Sequence, residues 1–566
     1  MATTTKDLSP SVHSGLKSSG CFGFLKIIKK LGHGRSKRSD AAISVDKHAG
    51  DHSSSFASQE HEDDAALDEK KASLNAPHPS TQDFEIFAAS YPSYQSQILD
   101  ALRLSDFSRL DAQNSTYVDY TGSALYPASL ISFYTSQLQD GVFGNPHSTN
   151  PASMAASAAT KTAKDALLDF LDADKQEYDV VWTQNASGAM RIIGEGFDYG
   201  EGGRLLLGVD SHNSVNGMRA FAEKSGAKVD YLSFKNNGQG LSPPSVSAAL
   251  SSFSPTTTSH GLFVLTGQSN VTGLKAPLSL LAAASSAGYN TFLDAAALLP
   301  TSRLSLRSVK GIDALSLSVY KLFGFPTGVG ALVIRCSVLE GLKKPWFSGG
   351  SVSMVQVPGN VVTLEKGAER FMDGTTDFLS MLPIPKGLDI LASVMPEMGR
   401  RLPTLVLWTV AQMQELKHDN GEELVAVRSP KIGIKLEELK ERYGALIAFE
   451  ILDDEGNFVS SDVVEFGAGK QGICIRAGCM CNPGGSAVLM GTEFLMANIK
   501  PGDTKKTAFA SCGERAAGLC RASFGMSSNF QDAWTLIQYL KTLTVSGRIQ
   551  RLRNEFWDRD REITAC

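Results

Sequence analysis

The chain is poor in several things, and each shortage excludes a class of protein. Eight cysteines in 566 residues are far too few for a disulfide scaffold. No apolar run approaches the ~18 residues that a membrane span needs. The best stretches, Leu278–Ala284 and Leu402–Val410, are short and flanked by polar residues. A basic excess is missing too: 54 Lys and Arg stand against 59 Asp and Glu, for a net charge of -5. A nucleic-acid-binding chain would show the opposite balance. There is no internal repeat, and nothing resembles a collagen or coiled-coil composition. What remains, 42% hydrophobic and 20% charged, is ordinary globular usage and implies a real core.

The first 80 residues differ from the rest. Residues 1–40 carry eight Lys and Arg against two Asp, and residues 41–72 carry eight Asp and Glu against three Lys. A segment this polar cannot bury enough apolar surface to offset its ordering entropy, so 1–80 reads as a disordered extension. Within it, the basic and apolar stretch Cys21–Lys30 is compatible with a solvated tail, a transit peptide or association with an acidic membrane surface.

From Thr81 onward, short apolar strands alternate with helical patterns. Tyr178–Thr183, Arg204–Val209, Gly261–Thr266, Asn290–Leu293, Ala314–Ser318 and Gly330–Arg335 read as buried strands, and Ala189–Phe197 as a helix. Such alternation predicts an α/β fold with a mostly parallel sheet. Residues 399–545 mix long helical patterns with the strand-like Ala445–Leu452 and predict a smaller α+β domain. The expected organisation is a segment at 81–140 contributing to the small domain, a large domain at 141–398, the small domain at 399–545 and a tail at 546–566.

In open α/β sheets, ligands collect beyond the carboxyl ends of the strands. There the sequence sets Asn185-Ala-Ser187-Gly188, Asp210-Ser-His212-Asn213, Gln268-Ser-Asn270, Asp294 and Ser318-Val-Tyr320-Lys321. Each alone reads equally as a turn or a cap. Together they match the protein's share of pyridoxal phosphate catalysis: a lysine able to form a Schiff base, an acid for the pyridinium nitrogen and a phosphate cradle at a helix start. Lys321, Asp294, His212 and Ser187 with Gly188 would fill those roles, His212 stacking on the ring.

The order of motifs resembles the class V aminotransferase (cysteine desulfurase-like) family, and most closely the desulfurase-like N-terminal part of eukaryotic molybdenum cofactor sulfurases. The resemblance rests on Tyr117-Val-Asp-Tyr-Thr-Gly-Ser-Ala124, Gly144-Asn-Pro-His-Ser148, Val181–Ala189, Gln268–Gly273 and Leu293–Ala297. It continues through Ser318–Gly328, Arg370–Thr375, Arg476-Ala-Gly-Cys-Met-Cys-Asn-Pro-Gly484 and Arg521-Ala-Ser-Phe-Gly525. It implies the pyridoxal phosphate-dependent fold type I, with Lys321 as cofactor lysine and Asp294 as its pyridinium partner. Ser187 and Ser318 would be phosphate ligands, and Asn270 would lie near the cofactor hydroxyl and the substrate. Arg521 would clamp the substrate carboxylate, a bidentate task suited to guanidinium. Thr375 would reach the phosphate of a second subunit, which implies a homodimer.

The clustered Cys474, Cys479 and Cys481 invite three readings. No second pair or histidine sits at zinc spacing, so no metal site is expected. A pair of inert thiols is the bland alternative. The resemblance makes Cys481 a nucleophile on a flexible loop over the cofactor, Cys479 a helper or resolving thiol, and Arg476 a substrate-side cation that would raise the thiolate fraction. The implied chemistry is proton removal from L-cysteine by Lys321 and attack of Cys481 on the substrate sulfur. Alanine leaves, and a persulfide remains for a sulfur-accepting protein or cofactor. A C–S lyase of the same fold, in which Cys481 is dispensable, and a non-catalytic scaffold are the alternatives.

Three departures from the family pattern stand out: Ala297 three residues after Asp294, Tyr320 before the lysine, and Gly484-Gly-Ser486 after the cysteine loop. The cysteine usage and the absence of a secretory signal suggest the cytoplasm, with mitochondrial or membrane-surface placement as alternatives through the basic N-terminal stretch. The sequence stops about twenty residues past the last helical pattern, and no molybdopterin-holding domain is expected within it.

Overall fold

Seven short strands, nearly all Leu, Val, Ile, Phe and Ala at their centres, build the larger of two main sheets. They are β1 (Tyr178–Thr183), β2 (Arg204–Gly208), β3 (Lys228–Leu232), β4 (Gly261–Thr266), β5 (Asn290–Asp294), β6 (Ala314–Ser318) and β7 (Gly330–Arg335). The computed structural model that places them describes residues 78–234, 240–504, 507 and 513–564. The expected disordered extension and its basic stretch lie outside these residues, apart from 78–80.

The strands lie in the order β1-β7-β6-β5-β4-β2-β3. All neighbours are parallel except those of β7, which runs against both β1 and β6. Strands covered on both faces read as continuous apolar runs, and β2, β4, β6 and β7 are buried along almost their whole length. The edge strand β3 has the alternating sequence Lys-Val-Asp-Tyr-Leu and is mostly half-exposed, which is why no apolar run announces it.

Helices alternate with the strands of this sheet. Helix α1 (Pro151–Phe170) lies behind it, and α2 (Ala186–Gly196) starts two residues after β1, capped by the Asn185 side chain on the Gly188 N–H. The single turn α3 (Val319–Phe323) follows β6 directly. The long helix α4 (Ile384–Gln414) passes so near α3 that a Cβ at Gly387 would sit 2.2 Å from the Phe323 ring. Only glycine lets α4 support the turn that carries Lys321.

The second sheet is antiparallel, with β8 (Val425–Ser429), β9 (Leu446–Leu452), β10 (Arg476–Gly478) and β11 (Leu519–Ser523) in the order β8-β9-β11-β10. The extended segment around Thr116–Asp119 threads onto it, pairing with Ile473–Cys474 and, at Asp119, with Ser523. Helix α5 (Ser461–Gly469) packs under β10, and α6 (Pro483–Met490) begins just past the cysteine loop.

What the sequence pattern left as a tail is instead a helix, α7 (Arg548–Thr564). Ile549, Leu552 and Phe556 are buried, and the helix packs against α5. The i, i+3, i+7 spacing of these three makes one apolar stripe on an otherwise charged helix. Charge dominates its composition and hides the stripe. No helix among the described residues is long and apolar enough to cross a membrane.

Candidate active site

Because β1, β2, β4, β5 and β6 point the same way, their carboxyl ends share one edge, and the residues that follow them converge there. A cavity of about 140 Å³ lies at this edge, walled by Ser187, His212, Asn270, Asp294, Ser318 and Lys321. Six residues picked from five separate stretches of sequence thus meet.

Three of them are titratable and feel one another's charge. Burial pushes the Lys321 amine down, opposed by the Asp294 carboxylate and helped by Arg521. Burial pushes the Asp294 carboxyl up, against the Ala296 N–H, which donates to Oδ1 at 3.0 Å, and against the charge of Lys321. Burial pushes His212 down. Its Nδ1 accepts the Ser214 N–H at 3.1 Å, as a neutral ring nitrogen does, and lies 3.0 Å from Ser214 Oγ.

At the start of α2, Ser187 Oγ is exposed and lies 2.6 Å from Ser214 Oγ. Ser318 Oγ accepts the Ala186 N–H at 2.9 Å, tying the end of β6 to the first turn of α2. Gly188 gives its N–H to Asn185 and faces a second cavity of about 460 Å³, on the other side of the helix start. Thr375 lines that second cavity, its Oγ1 accepting from Asn145 Nδ2 at 3.3 Å. Within one chain, therefore, Gly188 and Thr375 stand apart from the Lys321 cavity.

Arg521 and Arg476 sit on adjacent strands of the second sheet, in register with each other. Both bind Asp119. Arg521 Nη2 donates to Oδ1 at 2.6 Å, and Arg476 Nε donates to Oδ2 at 3.0 Å, with a second bond from Arg476 Nη2. Arg521 Nη1 donates to the Asn270 carbonyl at 2.8 Å, and its buried Nε has no partner. The guanidinium of Arg476, expected beside the Cys481 thiol, is engaged by Asp119 instead. The reason is the register of β10 and β11, which delivers both cations to one carboxylate.

The cysteine loop, expected to be flexible, is docked. Asn213 donates its N–H to the Cys481 carbonyl at 2.6 Å, and Asn270 Nδ2 donates to the Met480 carbonyl at 2.8 Å. Asn270 thus lines the cavity while one of its two amide N–H groups is bonded to the loop. Met480 and Cys481 have φ of 53° and 56°, the left-handed region that costs a non-glycine residue of order 1 kcal/mol. Cys474, Cys479 and Cys481 are free and exposed. Among the described residues, no group of three or more His, Cys, Asp or Glu is arranged to hold a metal ion.

Asp119, Ser214 and the role of Asn482 emerge only from the fold. Asp119 and Asn482 lie inside motifs already singled out, but nothing in a motif says which side chain turns inward. Ser214 has no signal at all beyond its place two residues after His212.

Comparison with known proteins agrees with this geometry. A family model described as aminotransferase class-V matches residues 116–536. The molybdenum cofactor sulfurase of Bos taurus is 29% identical over 463 residues, covering 78% of this chain and 51% of its own length. That of Arabidopsis thaliana is 29% identical over 511 residues, covering 82% and 62%. The chain thus spans between half and two thirds of these curated relatives. Among solved structures, the apo cysteine desulfurase of Thermococcus onnurineus NA1 superposes with a TM-score of 0.64 at 19% identity, covering 80% of this chain and 99% of that one. The cysteine desulfurase CsdA of Escherichia coli, in its S-sulfonic acid form, gives 0.61 at 20% identity, covering 79% and 98%.

Proposed function

The chain belongs to the class V aminotransferase family, and from that premise we propose that it is a pyridoxal phosphate-dependent sulfurtransferase that takes sulfur from L-cysteine. One observation carries the proposal. A half-buried amine and imidazole and a buried carboxylate surround one cavity, and a wall residue of that cavity, Asn270, is bonded to the loop that bears an exposed thiol.

The donor set suits the cofactor. Lys321 would hold it, Asp294 would face its ring nitrogen, His212 would lie against the ring, and Ser187 with Ser318 at the start of α2 would receive the phosphate. When bound, pyridoxal phosphate supplies an electron sink for charge developing at the substrate Cα. The protein's own residues supply the rest. Lys321, kept from its usual protonation by burial, takes the Cα proton. Arg521, whose guanidinium is held by Asp119 and the Asn270 carbonyl, clamps the substrate carboxylate. The Cys481 thiolate attacks the substrate sulfur, the electron pair of the breaking S–Cβ bond goes to Cβ, and protons taken up at Cβ and Cα complete the alanine. Alanine departs, and Cys481 keeps the sulfur as a persulfide for an acceptor.

In this reading, residues 141–398 form the large domain and 399–545 the small one, to which 81–140 contributes. The functional unit is a homodimer in which Thr375 reaches the cofactor phosphate of the second subunit. The compartment is a reducing one such as the cytoplasm, and molybdenum cofactor sulfuration is the destination of the sulfur.

The test is direct. Purified protein loaded with pyridoxal phosphate receives L-cysteine, and alanine, pyruvate and sulfide are followed. The expected result is alanine, formed in the wild type and abolished in Cys481→Ala, with the borohydride-sensitive chromophore lost in Lys321→Ala. Pyruvate in place of alanine, or full turnover by Cys481→Ala, would overturn the persulfide step in favour of a lyase.

A further inference from the structure

Asp210 has no part in the chemistry above, yet it is buried beside it with an acceptor-only side chain surrounded by donors. Ser269 Oγ donates to Oδ1 at 2.7 Å and Thr272 Oγ1 to Oδ2 at 3.0 Å. The third donor comes from across the molecule: Asn482 Nδ2 reaches Oδ1 at 2.5 Å. Asn482 is the residue immediately after Cys481. It is fully buried, its Nδ2 also meets Asn270 Oδ1 at 3.1 Å, and its Oδ1 accepts the Gly485 N–H at 3.0 Å, capping α6.

Two glycines make this approach possible. A Cβ at Gly484 would lie 2.1 Å from the Val209 carbonyl oxygen, and one at Gly485 would lie 2.3 Å from Asp210 Oδ1. The backbone after the cysteine is thus pressed directly onto the end of β2. The left-handed Met480 and Cys481 are held between this contact and the bonds from Asn213 and Asn270. A backbone conformation unfavourable for both residues persists only where its surroundings over-determine it.

We propose that Asp210, acting through Asn482, is the positioning residue for Cys481: it latches the nucleophile loop, which follows a strand of the second sheet, to the sheet that carries the cofactor site. This rests on Cys481 being the nucleophile, and it adds a residue that touches neither substrate nor cofactor. A carboxylate suits the task because it accepts from three donors at once, whereas an amide would present a donor to one of them.

The experiment compares wild type, Asp210→Ala, Asn482→Ala and the double variant Asp210→Ala with Asn482→Ala, all as holoenzyme. Amide hydrogen exchange of residues 479–486 and of Asn213 reads docking without reference to activity. Exchange of the α-proton of L-alanine in D₂O reads the Lys321 site, and alanine release from L-cysteine reads sulfur transfer. Each single variant is expected to exchange faster at 479–486 and at Asn213. Alanine release should fall by up to about a hundredfold, the scale set by ångström misplacement of a reacting group, while α-proton exchange stays near wild type. The double variant should lose no more docking or alanine release than the more affected single variant, since both residues act through one contact. Unchanged amide exchange in Asp210→Ala or Asn482→Ala, a parallel loss of α-proton exchange, or additive losses in the double variant would each overturn the latch. Should the wild type release no alanine, the functional reading fails, and the amide exchange alone still decides whether Asp210 docks the loop.

Discussion

Asp119 and Arg521 form an ion pair at 2.6 Å with both side chains almost removed from solvent, 7% and 2% exposed. The same carboxylate binds the half-exposed Arg476, so one acid from the N-terminal segment holds two cations of the second sheet. Burial makes the guanidinium of Arg521 give up its proton more easily than usual, and Asp119 opposes this.

Breaking that pair should therefore be costly. Asp119→Ala leaves a buried guanidinium uncompensated, a change that typically costs about 3–5 kcal/mol, and the loss should appear as a lower urea midpoint. Where the variant still folds, the KM for L-cysteine should rise by about tenfold, equivalent to roughly 1.4 kcal/mol, because Arg521 is no longer aimed. Steady-state assays against L-cysteine check this, and an unchanged KM would remove Asp119 from substrate recognition.

His212 sets an acid limit. Burial lowers its pKa from the ordinary 6.5, and protonating Nδ1 would break the bond from the Ser214 N–H. Just below pH 6.5 the unfolded chain therefore binds a proton that the native state does not. Stability falls as the pH drops through that window and is unaffected by this group above it. Urea midpoints at pH 7.5 and 5.5 should differ more in wild type than in His212→Phe.

The glycine pair after the cysteine tolerates no side chain. Gly484→Ala meets backbone, the Val209 carbonyl, which cannot move as a flexible side chain would. Alanine release from L-cysteine should fall by about two orders of magnitude, with the cofactor chromophore intact. Equal activity in Gly484→Ala would mean that the loop works undocked.

The last helix should matter to stability. Leu552 is 1% exposed and packs toward Gly467 of α5. Leu552→Ala should cost about 3 kcal/mol, the usual scale for a buried leucine, as read by urea denaturation. A shift below about 0.5 kcal/mol would show α7 to be an appendage.

The large sheet was legible because its strands are covered on both faces and so appear as unbroken apolar runs, and because ligand groups follow such strands at one edge. That placed Ser187, His212, Asn270, Asp294, Ser318 and Lys321 together before any coordinates. Edge strand β3 and helix α7 escaped because their apolar residues are diluted by charge. The contacts of Asp119 and Asp210 escaped for a different reason. Each pairs with residues more than 250 positions away, and no local pattern encodes a meeting of that kind. The docked loop was likewise invisible: a run of Cys, Asn, Pro and Gly suggests mobility until Asn213 and Asn270 are seen to hold it.

The exposure of Cys481 has a bearing on fidelity. The cofactor cavity is small and walled, but the thiol beyond it faces solvent. Sulfur parked there would be open to any small thiol in the surrounding solution, because the described residues leave Cys481 exposed. Correct delivery would then depend on how fast a partner takes the sulfur, making the handover a race with leakage rather than a protected channel.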